Sequence, residues 1–329
     1  MEYAFLGGTG LQVSCICLGT AFRASLFKAE RDDALCERVV HHALDAGVNF
    51  IDTANYYSYG RSEEIVGRAL QGRRDDVVLA TKVRSPVKDH PGLNDAGLSR
   101  YHVLRECERS LRRLRTDHID LYWLHAPDDR TPIEETLRAL DDLVHQGKVR
   151  YIGCCNYAAW QVCEALWRSD VQRLQRFAAI QNQYSLLNRW EVEPDLVSVC
   201  AKFGLGMAAY SPLAVGLLSG RFRRGQPVPA GTPWSVGEPY ARHFDLAMTP
   251  AADEIVQALS EIGAARAKTP AQVALRWLLD KPAVTSIIIG PDTPAHVDDT
   301  LGALGWSLAP EDQARLDALS APPKPLKFS

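Results

Sequence analysis

The chain has 329 residues, 46% hydrophobic and 23% charged, which provides for a large buried core and excludes a disordered chain. Lys and Arg number 37 against 40 Asp and Glu, a net charge of -3, so the broad basic face of a nucleic-acid binder is missing. The 8 cysteines lie mostly inside apolar runs without zinc-type spacing, no stretch reaches the roughly 20 apolar residues of a membrane span, and the N-terminus lacks a signal-peptide pattern; reduced thiols, no metal, no membrane and a cytoplasmic location are expected.

Residues 1–13, with Gly7-Gly8-Thr9-Gly10 between two apolar runs, predict a hairpin. Short Val-, Ile- and aromatic-rich runs then alternate with amphipathic segments, the pattern of parallel strands joined by helices. The strands are expected over 15–20, 49–54, 77–83, 119–125, 151–156, 178–184, 206–211 and 285–290. Helices are expected over 32–46, 62–70, 100–115, 131–146, 158–169, 194–203 and 270–279, several with a polar or Pro start and a Gly stop. Eight strand-helix units predict one α/β domain over 1–329, a (β/α)8 TIM barrel. Two additions stand outside the repeat: a long loop after strand seven over 213–249, a candidate lid, and a tail helix from Ala309 followed by Pro322-Pro323-Lys324-Pro325.

Active sites of such barrels form at the C-terminal strand ends. The polar residues expected there are Asp52 after strand two, Tyr57 in the next loop, Lys82 on strand three and His125 on strand four. A tyrosine ordinarily titrates near about 10, and a nearby ammonium favours its phenolate, so Lys82 is expected to lower the Tyr57 pKa. Asp52 would compensate the buried ammonium, and His125 would orient a substrate oxygen. Taken singly, a Lys–Asp pair can be structural and a histidine after an apolar run can be packed; their convergence on neighbouring strands points to proton transfer at a carbonyl or hydroxyl oxygen.

Asn49-Phe50-Ile51-Asp52-Thr53-Ala54-Asn55-Tyr56-Tyr57, continued by Gly60-Arg61-Ser62-Glu63-Glu64-Ile65-Val66-Gly67-Arg68-Ala69-Leu70, resembles the signature of the aldo-keto reductases. Leu79-Ala80-Thr81-Lys82-Val83 and Asp120-Leu121-Tyr122-Trp123-Leu124-His125 resemble two further blocks, and the likeness runs in order through the chain. The resemblance implies a catalytic tetrad of Asp52, Tyr57, Lys82 and His125, with Tyr57 the proton donor or acceptor. It also implies a nicotinamide dinucleotide, NAD(P)(H), bound without the Gly-rich fingerprint of doubly wound dehydrogenases. Matching positions assign cofactor contacts to Thr20, Cys155, Asn156, Gln181, Tyr210, Ser211, Leu213, Gly216, Arg221, Gly290, Asp292, His296, Asp299 and Thr300.

Cys155 and the last block depart from the family pattern, the latter reading Asp292, His296, Asp299 and Thr300 where a basic or small polar residue, Gln and Glu-Asn are usual. Cys155 stands where a serine is usual, and a thiol is a weak hydrogen-bonding group, which leaves the carboxamide to Asn156 and Gln181. Asp292 replaces a basic or small polar residue; its carboxylate would repel a 2'-phosphate and accept from a free 2'-hydroxyl, which favours NAD(H) over the family default NADP(H). Substrate contacts are expected from Phe22, Tyr59 and Trp123, with Tyr56, Tyr157, Trp234 and Tyr240 around the mouth and Arg23 or Arg84 for an anion or polyol. The expected function is interconversion of an aldehyde, ketone or sugar carbonyl with its alcohol. The alternatives are a Schiff-base lyase or aldolase built on Lys82, and a non-catalytic nicotinamide-binding regulatory subunit.

Overall fold

The computed structural model describes residues 1–22, 32–88, 90–235 and 240–322, the stretch 240–242 by its backbone alone. An antiparallel hairpin of β1 (Tyr3–Phe5) and β2 (Gln12–Ser14) precedes eight barrel strands. These are β3 (Ile16–Gly19), β4 (Phe50–Asp52), β5 (Val78–Val83), β6 (Ile119–Leu124), β7 (Val149–Cys155), β8 (Phe177–Gln183), β9 (Gly206–Tyr210) and β10 (Ser286–Ile289). All pair in parallel with their neighbours, and β10 closes the ring by pairing with both β9 and β3. The fold is therefore the (β/α)8 barrel with an N-terminal hairpin.

The helices are α1 (Asp33–Asp45), α2 (Arg61–Ala69), α3 (Arg100–Leu114), α4 (Ile133–His145), α5 (Ala159–Gln172), α6 (Leu196–Phe203), α7 (Tyr240–Ala247), α8 (Pro250–Ala265), α9 (Pro270–Leu279), α10 (Pro294–Leu301) and α11 (Pro310–Leu319). Their starts follow local chemistry. Asp32 accepts from the Leu35 N–H at 2.8 Å, and Thr269 and Gln272 form a reciprocal capping box with Pro270 in the first turn. Among the described residues, three helices were not anticipated from the sequence: α7, inside the loop after the seventh barrel strand, and α8 and α10, flanking the last repeat.

Alternation along the strands divides the core in two. One set, including Ile51, Leu79, Tyr122 and Ile152, faces the helices. The other, including Cys17, Phe50, Ala80, Leu121, Trp123, Cys155, Ala179 and Ala208, fills the lumen, where Leu6 and Val13 of the hairpin segment join it. The hairpin turn seats tightly: Gly7 has φ 57, and a Cβ there would lie 2.4 Å from the Gly206 nitrogen at the start of β9. No described helix is long and apolar enough to cross a membrane.

Candidate active site

The last residue of β4, the penultimate residue of β5 and the residue after β6 place Asp52, Lys82 and His125 on adjacent strands. Lys82 is wholly buried and Asp52 is 2% exposed. The Lys82 ammonium donates to Asp52 Oδ2, to the Thr53 carbonyl at 2.9 Å and to Tyr57 Oη at 3.4 Å. The Tyr57 and His125 rings lie 6.0 Å apart, and Tyr56 packs 5.1 Å from each. Tyr57 opens a 3-10 turn, Tyr57–Gly60, in which Ser58, Tyr59 and Gly60 take φ of 50, 55 and 92. Such left-handed backbone costs on the order of 1–3 kcal/mol per non-glycine residue and must be held by its surroundings. Ser62 supplies part of the hold, donating to the Thr20 carbonyl at 2.6 Å while its oxygen lies 2.8 Å from the Thr53 hydroxyl.

The electrostatics correct one expectation. Burial is the largest influence on the Tyr57 phenol; it outweighs the opposing pull of Lys82 and, with Asp52 and Tyr56 acting in the same direction, pushes the pKa up to about 12. Lys82 limits the rise and does not reverse it. For Lys82 itself, burial favours the neutral amine, yet Asp52, Tyr57 and Cys155 together hold its proton more firmly than in an ordinary lysine. Burial, reinforced by Lys82 and Arg84, drops His125 to about 2, so this imidazole is neutral across the physiological range and offers one N–H. Its Nδ1 is buried with no hydrogen-bond partner among the described residues.

Beside the tetrad, the ends of β7, β8 and β9 carry groups suited to a dinucleotide. Asn156 has φ 62, donates through Nδ2 to the His125 carbonyl at 2.9 Å and accepts at Oδ1 from the Tyr210 hydroxyl at 2.8 Å. The loop after β9 holds Ser211, Ala214, Val215 and Gly216 at positive φ of 52, 48, 57 and 88. The turns close on themselves, with the Ala214 N–H donating to the Ser211 carbonyl and the Gly216 N–H to the Leu213 carbonyl, each at 2.9 Å. The Trp234 indole N–H donates to the Val215 carbonyl at 2.9 Å and braces this loop. Among the described residues, Asn182 Oδ1 is buried and unpartnered, and a Cβ on Gly290 would meet open space. These features fit a nicotinamide dinucleotide, with Asn156, Gln181 and Tyr210 at the end nearest the tetrad.

Other anticipated residues sit differently. Thr20 is fully buried, with its hydroxyl donating to the Asp52 carbonyl at 3.1 Å and lying 3.0 Å from Ser62 Oγ. Gln181 donates to Asp52 Oδ1 at 3.0 Å, a tie that its assignment to the carboxamide did not foresee. Cys155 is buried and its thiol pushed up by burial. Leu213 is half-buried and Arg221 exposed in the loop after β9. Around α10, Asp299 accepts from Gln272 Nε2 at 2.9 Å and from Thr269 at 3.1 Å, and the Thr300 hydroxyl donates to the His296 carbonyl at 2.8 Å. Both are thus committed within the protein. His296 is exposed, and its Nδ1 accepts from the Asp292 N–H at 3.3 Å.

The substrate-side expectations divide likewise. Tyr59 is 57% exposed beside Tyr57 and suits a rim. Phe22 is 6% exposed and belongs to the cluster between barrel and helices, while Tyr157 stacks edge-on against Phe177 at 6.2 Å. Trp234 packs against Phe244 at 5.9 Å, and Arg84 donates to the Pro127 carbonyl at 2.9 Å. Trp123 lies inside the lumen with no exposed surface, in register with Lys82 on one side and Gly153 on the other. Its indole belongs to the lumen cluster beside the Lys82 strand. Arg23, the Tyr240 side chain and the tail from Pro323 lie outside the described residues.

Comparison with known proteins agrees with this geometry. Residues 15–321 match the model of the Aldo/keto reductase family. The chain is 39% identical over 320 residues to "Uncharacterized oxidoreductase YrpG" of Bacillus subtilis, covering 94% of this chain and 93% of that one. It is 31% identical over 325 residues to "Aldo-keto reductase YhdN" of the same organism, covering 97% and 93%. It is also 33% identical over 310 residues to a "Probable voltage-gated potassium channel subunit beta" of Arabidopsis thaliana, covering 92% and 91%. With the barrel, the tetrad at its mouth and a family match over nearly its whole length, the chain belongs to the aldo/keto reductase family.

Proposed function

We propose that this protein is an NAD(P)-dependent oxidoreductase that interconverts a carbonyl and the corresponding alcohol, with Tyr57 exchanging the proton. The observation that carries the reading is the contact of the Lys82 ammonium with both Asp52 and the Tyr57 hydroxyl at the strand ends. A bound nicotinamide dinucleotide supplies the hydride donor or acceptor. A phenol near about 12 holds its proton at neutral pH, ready to give it to a carbonyl oxygen as that oxygen gains charge. Lys82 stabilises the phenolate left behind, and Asp52 keeps Lys82 charged and in place. The neutral His125 donates its N–H to the same substrate oxygen and fixes its direction.

The firmly held proton on Lys82 weighs against the Schiff-base alternative, which needs a free amine. The regulatory alternative draws support from the relative named as a channel beta subunit. The tetrad's geometry favours turnover, since a sensor needs no proton relay.

Tyr57→Phe tests the reading against a panel of aldehydes, ketones and sugars. Turnover should vanish while cofactor affinity stays within about twofold of wild type, because the substitution removes a hydroxyl and little volume. Undiminished turnover would refute the role of Tyr57. Fluorescence titration with NADH and NADPH on the same samples tests Asp292, which should make NADH the tighter ligand; a clear NADPH preference would overturn that part.

A further inference from the structure

We propose that Gln181 is a positioning residue that ties the Asp52 carboxylate across the barrel, so that the Asp52–Lys82 pair and cofactor binding are energetically coupled. The inference rests on the hydride-transfer reading and deepens it. In the closed order β10-β3-β4-β5-β6-β7-β8-β9, strands β4 and β8 stand diametrically opposite each other. The hydrogen bond from Gln181 Nε2 to Asp52 Oδ1, 3.0 Å long, therefore spans the lumen. Both residues are buried, at 4% and 2% exposure. Asp52 thus has one donor on each carboxylate oxygen, Lys82 on Oδ2 and Gln181 on Oδ1. A donor on a buried carboxylate forms a charge-assisted bond, which fixes the carboxylate's rotation and draws part of its charge away from Lys82.

Gln181 also reaches the cofactor side. Its backbone carbonyl accepts the Asn156 N–H at 3.0 Å, and Asn156 in turn bonds the His125 carbonyl and the Tyr210 hydroxyl. Because the side-chain nitrogen is committed to Asp52, the side-chain oxygen is the end left to accept an N–H from a nicotinamide carboxamide. A ligand on that oxygen polarises the amide and strengthens its bond to Asp52, and the converse holds by linkage. A residue that merely filled the lumen would support stability but would not couple Asp52 to cofactor affinity.

The test is a double-mutant cycle on NADH and NADPH affinity, read by fluorescence titration of the full chain, with Gln181→Met, Asp52→Ala and the double variant. Met keeps the length of Gln and removes both polar ends. Asp52→Ala should weaken binding by about tenfold in the wild-type background and by less than about twofold beside Gln181→Met. Additive effects would overturn the inference. Should Asp52→Ala fail to fold, Gln181→Glu gives an independent answer. Its carboxyl, beside Asp52, can donate only while protonated, so affinity should stay near wild type at low pH and fall by about tenfold as the acid ionises. A pH profile parallel to wild type would overturn the inference. A wild-type chain that binds neither dinucleotide refutes the hydride-transfer reading and the coupling with it, whereas normal binding with additive effects refutes the coupling alone.

Discussion

Replacing Lys82 by Met separates the two jobs of its ammonium, because the charge pairs with Asp52 while it also acts on Tyr57. At the 3.4 Å that separates Nζ from Tyr57 Oη, an effective dielectric of about 20 gives an attraction to the phenolate of roughly 5 kcal/mol, partly cancelled by Asp52. Burial already holds the phenol at about 12, so loss of the cation drives it higher still and leaves the phenolate unsupported. Turnover should fall by about 10²–10⁴-fold. Stability should suffer separately: a buried carboxylate without its partner costs about 3–5 kcal/mol. Adding Asp52→Asn removes the stranded charge and still offers Gln181 an acceptor, so the double variant should regain most of the stability and none of the activity. Urea denaturation and steady-state kinetics on the single and double variants read the two effects. A Lys82→Met chain as stable and active as wild type, or a double variant that turns over, would refute the reasoning.

A Cβ on Gly153 would lie 2.4 Å from Cζ3 and 2.5 Å from Cε3 of Trp123, and 2.7 Å from the Ala179 carbonyl oxygen. Gly153→Ala should therefore cost about 1–3 kcal/mol through overpacking and push the indole towards Lys82; an unchanged melting temperature with unchanged turnover would contradict this placement of the indole. Oxidation of an alcohol needs the phenolate, so its rate should rise about tenfold per pH unit well below the phenol pKa, while reduction stays nearly flat from about pH 6 to 9; a flat oxidative profile would count against Tyr57 as the base. His102 is 1% exposed with both ring nitrogens unpartnered among the described residues, and burial lowers its proton affinity. The unfolded chain then takes up the proton first, so stability is complete above about pH 6.5 and declines below it by up to about 1.4 kcal/mol per pH unit. His102→Leu should flatten that decline in urea titrations between pH 7 and 5, and an unaltered slope would show that other groups carry it.

The barrel was legible because buried parallel strands read as short apolar runs and the helices between them carry their own stop and start residues, as at Asp32, Gly47, Thr269 and Gly204. The convergence of Asp52, Tyr57, Lys82 and His125 was legible because adjacent strands bring together whatever polar groups stand at their ends. Three features were not. The lumen position of Trp123 depends on Gly153 across the strand pair, a contact between residues 30 apart in the chain. The Gln181–Asp52 bond crosses the barrel between residues that no local pattern relates. The raised Tyr57 pKa reflects the depth of burial, which charge alone does not reveal; a sequence shows which groups are neighbours more readily than how much water they lose. Helix α7 was obscured because Gly, Pro and aromatic residues around 213–249 suggested one continuous loop.

Transfer of deuterium from reduced nicotinamide dinucleotide labelled at the hydride-donating carbon, read by mass spectrometry of the alcohol formed, tests the reaction most directly. The wild-type chain should place one deuterium on the former carbonyl carbon, and Tyr57→Phe should place essentially none. Label absent from the wild-type product, or a covalent carbonyl adduct on Lys82 trapped by borohydride, would contradict the account.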